Sequence, residues 1–411
     1  MHTDSFQSCL EAYAQLVIEV GVNLQTGQLL RIEAPVEAAE LTRWITQKAY
    51  QAGAKYVDVH LHDEQLSRIR FEHGHSETFG YYPEWQASGL EMLAEQGGAF
   101  LSIKVPNPDL YNGIDPAAVR TATQAAMQAR QGFSQYTRNH RISWCLIKAP
   151  TIAWANKVYA DLPEEERVEA MWQDIFKMNR VDQLKPADAW RAHMSQLQSR
   201  LTLLNDRRYK RLHYRAPGTD LSVELPADHL WAGGGAVNAD GHVFVPNMPT
   251  EEVFTMPHRL GVNGTVTSTM PLNLNGQLID QFTLTFQNGR ITSYTAETGQ
   301  EALASIIETD EGASYLGEIA LVPHDSPISN LNRVFYNTGI DENASCHLAI
   351  GSAYPINLEK GITLRPEELL AKGANVSLTH VDFMIGSAEL DIDGETEDGE
   401  LEPLFRKGNW V

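Results

Sequence analysis

The C-terminal half of the chain contains carboxylates and imidazoles inside apolar stretches. Glu318 lies in SYLGEIALV, Glu342 and His347 lie in DENASCHLAIGSAYP, and His380 and Asp382 lie in LTHVDFMIG. Burying such groups without partners costs several kcal/mol, so charges of opposite sign should lie beside them. A metal centre would supply that charge, and two histidines with three or more carboxylates suit Zn²⁺, Co²⁺ or Mn²⁺.

The spacing of His380 and Asp382 fits such a centre, because one residue separates them in a strand-like run. Side chains at positions i and i+2 of a strand project from the same face, so both can reach one ion. The adjacent acids Glu251 and Glu252, in PNMPTEEVFT, supply a further candidate ligand upstream. A set of buried ion pairs would satisfy the same groups, and the spacing alone leaves both interpretations open.

Four segments also carry a resemblance to a known family. In chain order they are TEEVFTMPH, YLGEIALV, GIDENASCHLAIGSAYP and LTHVDFMIG. Together they resemble the thermophilic aminopeptidase family of metallopeptidases, which includes aminopeptidases T, S and II. The resemblance extends over essentially the whole chain, including the opening segment YAQLVIEVGVNLQTGQLLRI.

The resemblance implies a centre of two divalent metal ions, and the residue types leave open whether these are Zn²⁺, Co²⁺, Mn²⁺ or Mg²⁺. The implied metal ligands are Glu252, Glu318, Glu342, His347, His380 and Asp382. Glu318 would bridge both ions, and Glu342 would act as an additional ligand or as an acid and base. Glu251 is the alternative to Glu252, because the two glutamates are adjacent.

The resemblance further implies an activity, that of a metallo-aminopeptidase acting on short peptides. Two divalent ions about 3.5–4 Å apart can lower the pKa of a shared water and polarise a carbonyl. Glu318 or Glu342 would take the proton of that water and pass it to the leaving amine, and Tyr354 would stabilise the oxyanion. Family members are homodimers with an enclosed cavity, which would exclude folded proteins as substrates.

Two other functions remain open from the sequence. Another dinuclear hydrolase, acting on an amide, a dipeptide or a phosphoester, would use the same ligand set. A metal-stabilised binding protein would use the ions for folding alone. The first would prefer other substrates to leucyl-anilide, and the second would tolerate both Glu342→Gln and Tyr354→Phe.

Composition excludes several classes of protein and of partner. The chain has 411 residues, enough for two domains, and its net charge of −21 disfavours nucleic acid and anionic membranes as partners. No apolar run reaches the ~18 residues of a transmembrane helix, and no secretion signal is evident. Cys9, Cys145 and Cys346 are widely spaced and odd in number, which indicates a reducing cytoplasm rather than disulfides or a Cys-type zinc site.

The first half of the chain has the pattern of an α/β domain. Helices are predicted over 6–22 and 36–52, and strands over 28–34 and 55–62. A strand, a helix and a strand with short links form a βαβ unit, so a mostly parallel sheet is expected. Beyond this unit we expect three helices, over 117–131, from 164 onwards and over 186–204, the second of them with a capping box at Asp161. Buried strands are expected over 141–149 and 151–155.

The second half has the pattern of an α+β domain. Asn275-Gly276 and Asn288-Gly289 predict hairpin turns between alternating strands. Short helices are predicted over 299–309, 342–351 and 365–372. We therefore expect an α/β domain over 1–210 with a mostly parallel sheet, followed by an α+β domain over 211–411. The second domain should be rich in antiparallel sheet and should carry the metal site.

Other candidate sites have simpler explanations. The pairs His60/His62 and His73/His75 lack a nearby carboxylate-bearing motif, so surface or loop positions are expected for them. The acidic tail over 391–400 places its glycine wrongly for a calcium-binding EF-hand loop, so a hairpin is expected there.

Overall fold

The computed structural model of the protein describes residues 3–105, 107, 109–274 and 277–411. Within them the α-helices are α1 (Thr3–Leu16), α2 (Ala39–Gln51), α3 (Glu64–His73), α4 (Glu84–Glu95), α5 (Pro116–Ala129), α6 (Gln131–Arg138), α7 (Ile152–Val158), α8 (Glu164–Met178), α9 (Pro186–Arg207), α10 (Gln300–Ile307), α11 (Thr338–Asp341) and α12 (Pro366–Ala371). A π-helical turn, Val17–Gly21, continues α1. Over the described ranges, none of the helices combines the length and apolarity needed to cross a bilayer.

The strands of the same ranges are β1 (Leu29–Pro35), β2 (Tyr56–His62), β3 (Ala99–Lys104), β4 (Trp144–Lys148), β5 (Arg211–Ala216), β6 (Thr219–Glu224), β7 (Ala232–Gly233), β8 (Ala236–Val237), β9 (Val243–Phe244), β10 (Val253–Thr255), β11 (Val262–Thr267), β12 (Leu272–Leu274), β13 (Gln277–Gln287), β14 (Arg290–Thr298), β15 (Leu316–Leu321), β16 (His347–Gly351), β17 (His380–Met384), β18 (Asp391–Glu395), β19 (Leu401–Arg406) and β20 (Asn409–Trp410).

By their contacts, the residues form two compact units. The first comprises Met1–His193 and Gly235–Pro249, and the second comprises Met194–Gly234 and Thr250–Val411. The boundary between the units therefore lies within α9, and one short later segment, Gly235–Pro249, belongs to the first unit. The domain boundary expected between residues 210 and 211 stays a prediction.

The first unit is built on a four-stranded parallel sheet in the order β2-β1-β3-β4. Leu30, Ile32 and Ala34 on β1 are buried, as expected for a central strand. The predicted α/β unit with a parallel sheet is confirmed. The helix predicted over 117–131 is also confirmed, as α5, which begins where the Asp115 carboxylate accepts the N–H of Ala117 at 2.9 Å.

Two local predictions in the first unit are wrong. The stretch predicted as a strand over 151–155 forms the start of α7, because the Thr151 hydroxyl caps the helix by accepting the N–H of Trp154 at 3.0 Å. The predicted capping box at Asp161 is absent, since α8 begins after Pro163 with no side-chain cap. Pro163 occupies the N-cap position instead, with the φ of −54° that its ring restricts.

The second unit contains two antiparallel sheets among the described residues. A nine-stranded sheet has the order β12-β13-β11-β6-β5-β18-β19-β20, with β14 paired to β13. A five-stranded sheet has the order β17-β16-β15-β10-β7. The prediction of a C-terminal domain rich in antiparallel sheet is confirmed.

The hairpins of the second unit follow the predicted turns where these can be described. Asn288 and Gly289 have φ of +50° and +80° between β13 and β14, the left-handed values that an Asn-Gly turn supplies. The Asn275-Gly276 turn lies outside the described residues, although its flanking strands β12 and β13 pair antiparallel. The tail forms the expected hairpin of β18 and β19.

The predicted helix over 342–351 is wrong. A single 3₁₀ turn, Glu342–Ala344, is followed by strand β16, which pairs with β15 on one side and β17 on the other. Both partners are distant in sequence, and their hydrogen bonds outweigh the local helical tendency of this alanine-containing run. His347 therefore lies on β16, between β15 and β17, and not on a helix.

Candidate metal centre

The five-stranded sheet packs one face against the core of its unit. The core residues on this face are Val253, Leu316, Ile319, Leu321, Leu348, Ile350, Val381 and Phe383. Because side chains alternate along a strand, the intervening residues lie on the opposite face. That face carries the candidate site: Glu318 pairs with Ala349, which in turn pairs with Asp382.

A β-bulge at Gly317 determines the direction of the Glu318 side chain. Leu316 pairs with Ile350 and Glu318 pairs with Ala349, so Gly317 is the extra residue on β15. In a regular strand Leu316 and Glu318 would share a face, whereas the bulge leaves Leu316 in the core and turns Glu318 to the opposite side. A Cβ atom at residue 317 would lie 2.3 Å from the carbonyl oxygen of Gly351, so only glycine fits.

The structure brings together five of the residues that were predicted as ligands. His347 Nε2 lies 3.1 Å from Glu252 Oε2 and 3.7 Å from Glu318 Oε1. His380 Nε2 lies 3.3 Å from Glu318 Oε2 and 3.4 Å from Asp382 Oδ1. They form two ligand groups that share Glu318. One group is Glu252, Glu318 and His347, the other is Glu318, His380 and Asp382, and the ligand atoms of each group lie within 4.8 Å of one another.

Backbone carbonyls orient both imidazoles. His347 Nδ1 lies 3.0 Å from the carbonyl oxygen of Ser345, and His380 Nδ1 lies 2.7 Å from that of Ser352. A carbonyl can only accept, so each Nδ1 carries the proton and donates it. Each Nε2 then faces the carboxylates, the arrangement usual for histidines that bind a metal through the other nitrogen.

The residues present fit a divalent metal ion. Glu252 Oε2, Glu318 Oε2 and Asp382 Oδ1 are buried and accept no hydrogen bond, although each lies near an imidazole nitrogen. Short distances without hydrogen-bond alignment are expected for ligands that converge on an ion rather than on one another. Imidazole nitrogens with carboxylate oxygens are also the donor set that Zn²⁺, Co²⁺ and Mn²⁺ accept.

The carboxylates stabilise protons on the imidazoles. Burial lowers the pKa of His347, but the adjacent Glu252 and Glu318 outweigh it and hold that pKa well above its ordinary value. The same competition, with Asp382 and Glu318 opposing burial, raises the pKa of His380 to about 11. Because the carboxylates favour a positive charge beside both imidazoles, a metal cation is favoured in place of these protons.

Three further predicted residues border these groups. Glu342 lies outside both groups, and burial followed by the Asp382 and Glu252 charges raises its pKa well above the usual range. The Tyr354 ring lies 4.7 Å from the His380 ring, although the residue is 45% exposed. Partial desolvation together with the nearby carboxylates raises the pKa of its hydroxyl, which therefore stays a donor. Glu251 lies outside both groups, and its N–H donates to Asn343.

Several residues of the centre carried no signal in the sequence. Ala349 separates Glu318 from Asp382, and its small side chain leaves space between them. The buried Asn343 accepts the N–H of Glu251 at 2.7 Å and so holds the segment that carries Glu252. Both contacts are non-local, so neither residue could be recognised from its neighbours. Over the described ranges, the early histidine pairs belong to no such ligand group.

Comparisons with known proteins agree with this geometry. The family model described as thermophilic metalloprotease (M29) matches residues 6–410. The chain is 52% identical to aminopeptidase 2 of Geobacillus stearothermophilus over 98% of this chain and 97% of that protein. It is 49% identical to aminopeptidase AmpS of Bacillus subtilis over 99% of this chain and 100% of that protein.

A solved structure gives the same result for the fold. The wild-type AmpT structure from Thermus thermophilus superposes with a TM-score of 0.93 at 40% identity, covering 99% of this chain and 100% of that one. The family match, the full-length relatives and the fold all lead to one assignment. This chain belongs to the thermophilic metalloprotease (M29) family.

Proposed function

We propose that the protein is a metal-dependent aminopeptidase that removes N-terminal residues from short peptides. The observation that carries the proposal is the pair of ligand groups that share Glu318. Two adjacent groups with a common carboxylate favour two ions over one. Names of the relatives support the reaction class, because proteins 52% and 49% identical to this chain are called aminopeptidases.

The ligands divide between the two groups. Glu252 and His347 would hold one ion, His380 and Asp382 would hold the other, and Glu318 would bridge them. Ions bound here would lower the pKa of a water molecule and polarise the scissile carbonyl. Their identity among Zn²⁺, Co²⁺, Mn²⁺ and Mg²⁺ depends on availability as well as on these residues.

Glu342 is the proposed proton carrier, with Glu318 as the alternative. Its carboxylate lies outside both ligand groups, and its raised pKa favours holding a proton. Cations bound nearby would lower that pKa and leave Glu342 ionised, so that one of its oxygens could accept a proton from the attacking water and deliver it to the leaving amine. Glu342 could also bind an ion as an additional ligand when the centre is loaded.

Tyr354 is the proposed donor to the oxyanion that develops on the scissile carbonyl. Its hydroxyl keeps its proton, because burial and the nearby carboxylates raise its pKa. The ring contacts both His380 and Phe254, with centroid distances of 4.7 Å and 6.1 Å, and these contacts restrain its direction. A preorganised donor of this kind stabilises the transition state more than the ground state.

The preference for an N-terminus would follow from the charges of the centre. The segments that form it carry six carboxylates, those of Glu251, Glu252, Glu318, Asp341, Glu342 and Asp382. A peptide's free α-amino group could bind one of the ions or pair with an acidic side chain of the centre, whereas an acetylated amine could do neither. Hydrolysis of leucyl-anilide but not of N-acetyl-leucyl-anilide tests this directly, and equal hydrolysis of both would overturn the assignment as an aminopeptidase.

We also propose a homodimer, as the family resemblance implies, and a cytoplasmic location. Three widely spaced cysteines fit a reducing compartment. Mass photometry of the purified chain would test the dimer, and a monomer at micromolar concentration would contradict it. Fractionation of the native cells would test the location.

A further inference from the structure

His380 depends on one peptide group for its orientation. Its Nδ1–H donates to the carbonyl oxygen of Ser352 at 2.7 Å, which directs Nε2 toward Glu318 and Asp382. Ser352 follows the end of β16, and its own N–H still donates to the carbonyl oxygen of Thr379 at 2.8 Å. That bond holds the peptide group before Ser352, whereas the Ser352 carbonyl belongs to the next peptide group and is directed by other contacts.

Asn375 makes those contacts from both sides of Ser352. The side-chain Nδ2 of Asn375 donates to the carbonyl oxygen of Gly351 at 2.6 Å. The backbone carbonyl of Asn375 accepts the N–H of Ala353 at 2.9 Å. That N–H belongs to the same peptide group as the Ser352 carbonyl, and the two point in opposite directions. The hydrogen bond from the Ala353 N–H to Asn375 therefore also fixes the direction in which the Ser352 carbonyl meets His380.

The Asn375 side chain is itself held at every polar atom. It is 1% exposed, its Nδ2 also donates to Gly312 O at 2.8 Å, and its Oδ1 accepts from Arg259 Nε at 3.1 Å. Arg259 is fixed in turn by stacking over the Tyr315 ring at 4.0 Å. A fully satisfied buried amide leaves little freedom to the segments it joins.

We infer that Asn375 is a positioning residue for the metal centre, acting on His380 through the Ser352 carbonyl. It touches none of the ligands with its side chain. The inference rests on the proposed function, because it assigns His380 to one of two ions. Asn375 should therefore affect the affinity for the ion held by His380 and Asp382, while the affinity for the ion held by Glu252 and His347 should hardly change.

The alternative is that Asn375 only stabilises the fold. Asn375→Asp separates the two accounts, because it keeps the acceptor for Arg259 but turns a carboxylate oxygen toward the carbonyls of Gly351 and Gly312. Asn375→Ser serves as a second variant without the added charge. Val223→Ala, in the buried interior of β6, serves as a control that destabilises the same unit away from the site.

The test is calorimetric titration of the metal-stripped full chain with Zn²⁺ and, separately, with Co²⁺. The inference predicts that both Asn375 variants weaken one of two metal-binding steps about tenfold or more, the size typical of losing a partner that orients a ligand. The other step should change less than about threefold. Val223→Ala should leave both steps unchanged at temperatures where it is folded.

A double-mutant cycle identifies which ion is affected. In the His380→Ala background, Asn375→Asp should cause no further loss of metal affinity, because both changes act on one ligand. Equal weakening of both steps, an additional loss in the His380→Ala background, or a chain that binds no metal would each overturn the inference. Titration requires no turnover, so a protein that binds metal as described but cleaves no anilide would contradict the proposed function while supporting the role of Asn375.

Discussion

Glu318 and Asp382 lie in one row across the five-stranded sheet, with only the methyl group of Ala349 between them. Both carboxylates also contact His380, at 3.3 Å and 3.4 Å. The space for an ion thus arises from a small residue on β16, between the two strands that carry these carboxylates, as much as from the ligands around it.

Ala349→Val should reduce metal affinity by filling this row. Added methyl groups would lie between the two carboxylates, and overpacking of this kind costs about 1–3 kcal/mol. If that cost falls on the loaded state, affinity decreases roughly 5–150-fold. Calorimetric titration measures the change, and Leu348→Ile, whose side chain lies on the core face of the same strand, provides the control. Unchanged affinity in Ala349→Val would show that the row is not the ion's position.

Gly317→Ala should destabilise the second unit and weaken metal binding together. The new Cβ would lie 2.3 Å from Gly351 O and 2.4 Å from the backbone of Ser352, so the bulge must distort. A loss of about 1–3 kcal/mol is expected in chemical unfolding, with a weaker metal step. Gly89→Ala is the matched control: it lies in α4 with no atom near the new Cβ, and should be neutral or stabilising by about 0.5–1 kcal/mol. Equal effects of the two substitutions would contradict this account of the bulge.

Metal uptake should release protons at neutral pH, and metal affinity should increase with pH. Without metal, the Glu252, Glu318 and Asp382 carboxylates outweigh burial and keep the pKa of both His347 and His380 raised, that of His380 to about 11. Each imidazole then holds a proton on Nε2 at pH 7, and this proton must leave before the nitrogen can bind an ion. Titrations in two buffers with different ionisation enthalpies measure the release. Metal binding with no proton release between pH 6 and 8 would contradict the assignment of Nε2 as a ligand.

The Tyr354→Phe variant should lose turnover while keeping its metal. Phenylalanine preserves the ring contact with His380 but removes the donor to the oxyanion. Removing one such donor typically decreases kcat about 10²–10³-fold. Steady-state kinetics and metal analysis of the same preparation test this together. A variant with full kcat would exclude Tyr354 from the reaction, and a variant without metal would make its role structural.

The sequence predicted the parts of the centre that depend on local spacing. His380 and Asp382 are two residues apart on a strand and share a face, as the alternation requires. The helix predicted over 342–351 was wrong, because β16 is specified by partners on β15 and β17 that local propensity does not include. Gly317 and Asn375 could not be identified in advance. A bulge and a buried amide bridge are defined by contacts with residues 351–353, which only the folded chain brings near.

The most direct test of the central claim is restoration of activity to the metal-stripped chain by defined amounts of a single divalent ion. Leucyl-anilide hydrolysis should increase until about two equivalents are bound, and N-acetyl-leucyl-anilide should remain uncleaved under the same conditions. That result would establish a dinuclear centre that requires a free amine. Full activity at one equivalent would contradict the pair of sites sharing Glu318, and full activity without any metal would contradict the proposed mechanism altogether.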